Sequence, residues 1–194
     1  MTRGLRIRFM VLQVGLIGIL LFCAGFLFWG NSFIQGTIHD QMVAQKIYFP
    51  ASGSAGLSAS EFPDLQQYGG QQVVNGVQAK AYADGFIGRH LEKVAGGKTY
   101  SEVSAASMAN PKDTKLAGQV QTLFRGETLR GLLLNAYGWW MVGQYALYAA
   151  VGLAIAAGAV FVAFAVEVAL ALRERQKVRT PAATAGRRSL AGTG

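Results

Sequence analysis

His39, Asp40, Asp84, His90 and Glu92 are the residues between positions 31 and 138 whose types could begin a hydrolytic or metal site. Imidazole and carboxylate groups bind zinc or iron, and imidazole changes charge near neutral pH. The two histidines stand 51 residues apart, far from the close ligand spacing of a zinc motif. A non-haem iron site wants two histidines and a carboxylate around an open position, and no local grouping here supplies them. Solvated helix faces account for these side chains more simply, so no catalytic residue, metal or cofactor is assigned.

Gly96-Gly97-Lys98-Thr99 imitates the end of a phosphate-binding loop. The full pattern needs a glycine five residues before Gly97, where Glu92 stands, and a buried strand upstream. The pair of glycines is better read as a helix stop, and Thr99-Tyr100-Ser101-Glu102 as the capping box of the next helix.

Glu167 is the one acid inside a long apolar run, and an intramembrane carboxylate is expensive enough to be a functional candidate by default. It lies one to two turns from Arg173 and Glu174, so an interfacial or paired role competes with a role in assembly or proton transfer. Gln13 lies at a comparable depth in the other apolar run. A hydrogen bond between Gln13 and Glu167 across a helix pair is the expectation.

The elements that must position these groups are two apolar runs, Phe9 to Trp29 and Met141 to Leu172. About 20 helical residues, each rising about 1.5 Å, cross a hydrocarbon core about 30 Å thick. The second run, at about 48 Å, is longer than that core and must tilt or protrude. Hydrophobic residues make up 52% of the chain and charged residues 14%, a balance that excludes an ordinary soluble globular class.

The net charge of +8 would suggest nucleic acid if it were spread over a folded surface. Residues 31–138 hold nine Lys or Arg against eight Asp or Glu, so the excess sits in the flanks, at Arg3, Arg6 and Arg8 and from Arg173 and Arg175 onward. Basic flanks stay on the cytoplasmic side. The expected topology is a multi-pass cell-membrane protein with both termini cytoplasmic and residues 31–138 outside. Lipid is its expected partner, with a membrane-protein partner or self-association, and nucleic acid is not. Cys23, the lone cysteine, permits no intrachain disulfide.

The chain therefore divides into a basic cytoplasmic N-terminus (1–8), a first transmembrane helix (9–30), an extracytoplasmic helical domain (31–138), a second transmembrane helix (139–172) and a basic disordered cytoplasmic tail (173–194). Helical periods are expected over 31–46, 71–95, 99–107 and from about 113 onward, with a loop around Pro50 and Pro63. The outer core is expected at Val77, Ile87, Leu91, Val94, Leu116, Val120, Leu123 and Phe124. Trp29, Trp139 and Trp140 suit the outer membrane interface, and Arg173 and Arg175 the inner one. Ala146, Ala150, Ala154 and Gly158 form a small-residue stripe suited to helix–helix contact. The fold class is mainly α, with two antiparallel transmembrane helices and a helical domain between them.

Residues 122–140, with Ala83-Asp84-Gly85 and Gly97-Lys98-Thr99-Tyr100, resemble small actinobacterial membrane proteins with two anchors and a helical outer segment. The resemblance covers about residues 9–172 and implies an envelope protein of a high-GC Gram-positive bacterium. Some members carry a ring-opening dioxygenase label, but no iron triad is recognisable here and nothing catalytic is carried over. The expected function is non-enzymatic: a structural or accessory subunit of an envelope or membrane complex. The alternative is an extracytoplasmic ligand sensor that signals through its transmembrane pair.

Overall fold

A computed structural model describes residues 3–179. Regular structure among them is helical: α1 (Arg3–Gln45), a 3-10 turn (Pro63–Tyr68), α2 (Gly76–Lys80), a π segment (Ala81–Gly88), α3 (Arg89–Ala95), α4 (Tyr100–Ala109) and α5 (Thr114–Arg179). Among the described residues the one pairing of extended segments is an isolated bridge between Tyr48 and Gln72. Two helices are long and apolar enough to cross a membrane, through their stretches Gly4–Gln45 and Thr114–Gln176. The helix of α5 continues through 173–179, where a disordered tail was expected, because no proline or glycine interrupts it there. The rest of that expected tail lies outside the described residues.

The chain forms two compact units, one from residues 3–28 and 147–179 and the other from 29–146. In the first, the shielded positions of α1 are Arg6, Met10, Gln13, Ile17, Leu20, Cys23, Ala24 and Leu27, and those of α5 are Leu147, Ala150, Leu153, Ala157, Val160, Phe164, Glu167, Val168 and Ala171. Leaving aside Cys23 and Val168, which sit beside this line, steps of three and four alternate along α1 and, from Ala150 onward, along α5. That is the heptad spacing of a coiled-coil seam, which keeps one stripe of side chains facing a partner helix. Flanking positions such as Leu12, Phe22, Ile155 and Val162 are exposed, leaving an apolar outer surface. Arg6 pairs with Glu174 at 2.7 Å in this unit.

The second unit packs around Ile38, Met42, Phe49, Leu57, Phe62, Leu65, Val73, Ala79, Ala83, Ile87, Leu91, Ala95, Val103, Leu123 and Leu133. Its segment 46–75 lies without long regular structure but is tied down by backbone bonds, Val73 N–H to Ile47 O at 2.8 Å and Phe49 N–H to Gln71 O at 2.9 Å. Phe49 meets Tyr68 and Tyr82, and Phe62 meets Phe86, so aromatic rings fill the space under this loop. Asn75 caps α2 by accepting from Gln78 N–H, while the Gln78 side chain accepts from Val74 N–H. Gly96 takes a left-handed conformation (φ 60°) and stops α3; the expected capping box then starts α4, with Thr99 accepting from Glu102 N–H and Glu102 accepting from Thr99 N–H.

Two expected core residues are placed differently. Val77 and Phe124 are exposed, whereas Ala79, Ala83, Ile87, Leu91 and Ala95 are buried at a constant step of four. In an α-helix such a stripe drifts around the surface by about 40° per step. The wider i→i+5 turns of the π segment absorb part of that drift and hold the stripe on the core.

Candidate functional site

The π segment positions the most connected charged group of the second unit. Its widened turns carry Asp84, whose carboxylate accepts from Lys80 Nζ at 2.7 Å on one oxygen and from Arg130 Nη2 of α5 at 3.0 Å on the other. Arg130 also pairs with Glu127 at 3.4 Å. Nearby, Arg89 makes a two-pronged pair with Asp64, both bonds 2.8 Å, and Lys93 pairs with Glu61. Fork-to-carboxylate pairing of this kind fixes orientation as well as charge.

These pairs perturb their members in the expected directions. The hydrogen bond from Lys80, then that from Arg130, holds the Asp84 carboxyl below the usual aspartate range. Arg89 does the same for Asp64. Burial pushes the Tyr82 phenol up.

Two grooves flank the segment and share Asp84 and Arg89. One, of roughly 450 Å³, is bordered by Tyr68, Val77 and Lys80; the other, of roughly 590 Å³, by Glu92, Lys98, Thr99, Ser101, Glu127 and Arg130. Both are shallow and widely open to solvent. Gly126 lets α5 approach α3 at the edge of the second groove, since a Cβ there would overlap the Leu91 side chain.

Of the residues singled out in the sequence, Asp84 alone joins this network. His39, Asp40, His90 and Glu92 are exposed, and among the described residues no three or more His, Cys, Asp or Glu side chains gather as a metal site. No family model, curated protein or solved structure matches the chain. The geometry therefore carries the functional argument alone.

The helix-contact residues divide. Ala150 is buried and Ala146 half-buried, but Ala154 is exposed and Gly158 has open space around it. A strict step of four walks around the helix, so the shielded line leaves the stripe at Leu153 and Ala157. Gln13 and Glu167 both lie on the shielded seams, yet no hydrogen bond joins them: Gln13 Oε1 and Glu167 Oε2 are closed to solvent and have no partner. Trp29 and Trp139 are exposed, as are Arg173 and Arg175. Trp140 is half-buried, packed over Gly76 and stacked on Tyr137, with its backbone oxygen accepting from Gln35.

Sequence reasoning missed the polar groups that tie α1 to α5 in the second unit. Asn31 Nδ2 donates to Gly143 O at 2.8 Å and Gln35 Nε2 to Trp140 O at 3.2 Å. The signal was present: Asn31 continues the three-four spacing of Ala24 and Leu27, which places it on the shielded stripe.

Proposed function

We propose that this chain is a non-enzymatic integral membrane protein, a structural or accessory subunit of an envelope complex. Its two apolar helix segments cross the bilayer as an antiparallel pair and carry residues 31–138 outside the cytoplasm. The observation that carries this reading is the division of each apolar segment into a shielded heptad seam and an exposed apolar flank. In water such flanks would be costly to leave uncovered; against acyl chains they need no cover.

Antiparallel direction is supported by the numbering of the contacts. Within the second unit Asn31 meets Gly143, and Gln35, one turn later in α1, meets Trp140, earlier in α5. The basic flanks support a cytoplasmic position for both ends. A reporter joined after residue 172 should be active only inside the cell, and one inserted at Gly53 only outside; the reverse pattern would overturn the topology. Purification in mild detergent should recover the chain with a second membrane protein or as an oligomer, and a lone monomer would remove the subunit reading.

The sensor reading has its own support in Asp84. A solute entering either groove meets a carboxylate bound directly to Arg130 of α5, the helix that contains the second span. Ligand screening by thermal shift of the full chain, compared with its Arg130→Met variant, tests that reading.

A further inference from the structure

We propose that the second unit rests on the outer headgroup layer of the bilayer through Val77 of α2, at the level where Phe33 of α1 and Trp139 of α5 also meet lipid. The proposal rests on the membrane reading above. The height of α2 follows from contacts within the unit. Gly76 packs against the Trp140 side chain, which a Cβ at that position would overlap. Trp140 immediately precedes the apolar run that starts at Met141. Val77, the residue after Gly76, is apolar and 43% exposed. On α1, Asn31 meets Gly143 and Gln35 meets Trp140, so Phe33 between them stands at the same height. Phe33 is 62% exposed and stacked on Trp29, and Trp139 is 57% exposed.

Exposed apolar side chains from three elements therefore share one level. A lipid layer surrounds a spanning protein and meets every element at that height, whereas a single partner helix covers one stripe. Aromatic rings and long cationic side chains are the groups that settle at this boundary. Lys80, three residues after Val77, holds its ammonium 5.2 Å from the centre of the Tyr137 ring, and Tyr137 stacks on Trp140. That ammonium is bound to the Asp84 carboxylate at 2.7 Å. The contact offered at Val77 is therefore apolar and places no demand on the sign of the headgroup, so a zwitterionic phospholipid satisfies it. Covering Val77 with lipid removes its exposed apolar surface from water. The same layer explains why an apolar residue at a helical interval lies outside the core.

Environment-sensitive fluorophores on single cysteines test the contact in the full chain, in a Cys23→Ser background reconstituted into phosphatidylcholine vesicles. Val77→Cys is the probe, Phe22→Cys reports the first apolar run, and Met108→Cys, close in sequence to the start of α5, reports water. All three native side chains are exposed, so the labelled chains should keep the wild-type helix content by circular dichroism. The Val77 label should emit to the blue of the Met108 label and be quenched by phospholipids carrying a nitroxide near the headgroup. The Phe22 label should be quenched instead by nitroxides deep in the acyl chain. Water-like emission at Val77 with a lipid-buried Phe22 label would overturn the lipid contact and leave the membrane reading standing. Blue emission at Val77 that no nitroxide lipid quenches would overturn it too, and assign the cover to protein. Water-like emission at Phe22 would remove the membrane reading and the contact with it.

Discussion

Asn31 donates its side-chain amide to the backbone oxygen of Gly143 at 2.8 Å, and Gly143 is the position where α5 has no side chain to keep α1 away. A Cβ built at Gly143 would stand 2.7 Å from Gln35 Nε2 and 3.4 Å from the Ile34 side chain. The bond and the missing side chain are therefore one device: close approach brings a buried amide within range of a carbonyl. Asn31→Leu should lower stability by about 0.5–1.5 kcal/mol, the net contribution of an intramolecular hydrogen bond. Gly143→Ala should displace the Gln35 amide and weaken its bond to Trp140 as well. Thermal unfolding of the full chain in detergent, followed by circular dichroism, reads both.

The Asp84–Arg130 pair joins the π segment to α5 while leaving each side chain 35% exposed, so solvent screens it. A double-mutant cycle with Asp84→Asn and Arg130→Met should give a coupling of about 0.5–1 kcal/mol. A coupling near zero would mean that Lys80 alone holds Asp84.

Acid should act through the same carboxylates. Asp84 and Asp64 are both held below their ordinary range, Asp84 by Lys80 first and Asp64 by Arg89. A depressed folded value means that these bonds contribute fully above the unfolded aspartate value of about 3.9 and that the contribution is lost as pH falls through the folded values. The melting midpoint should therefore be flat with respect to these two groups from neutral pH to about 5 and fall below about 4. In the Asp64→Asn, Asp84→Asn double variant that fall should be shallower.

Gly126 and Gly131 make a matched test of packing on α5. A side chain at Gly126 would overlap Leu91, whereas Gly131 has open space around it. Gly126→Val should cost about 1–3 kcal/mol by overpacking. Gly131→Ala should be neutral or stabilise by up to about 1 kcal/mol through helix propensity. Equal effects at the two sites would remove the close approach of α3 and α5.

Much of the local architecture was legible in the sequence. The Gly96-Gly97 stop and the Thr99–Glu102 box carry their own hydrogen-bonding logic and need no tertiary partner to be read. The long helices followed from apolar runs without proline. The π segment was not legible, because its widened turns serve a tertiary end: keeping Ala83, Ile87 and Leu91 on one core face. For the same reason Val77, apolar and at a helical interval, was expected inside and lies outside. In the candidate site, Asp84 was visible as a residue type, but its partner Arg130 is 46 positions away and no spacing announces it. On α5 the small-residue stripe steps strictly by four, whereas shielding steps by three and four, so the two coincide at Ala150 and part at Ala154 and Gly158.

The alternating steps of three and four along most of α1 and α5 also fix a reading frame for the two long helices. Deleting one residue turns every later position by about 100°, which would rotate Ala24 or Asn31 off the shielded line and bring an exposed neighbour onto it. Deleting seven restores the frame. Length changes in this protein should therefore be tolerated in whole heptads, matched on both helices, and resisted at almost every other size.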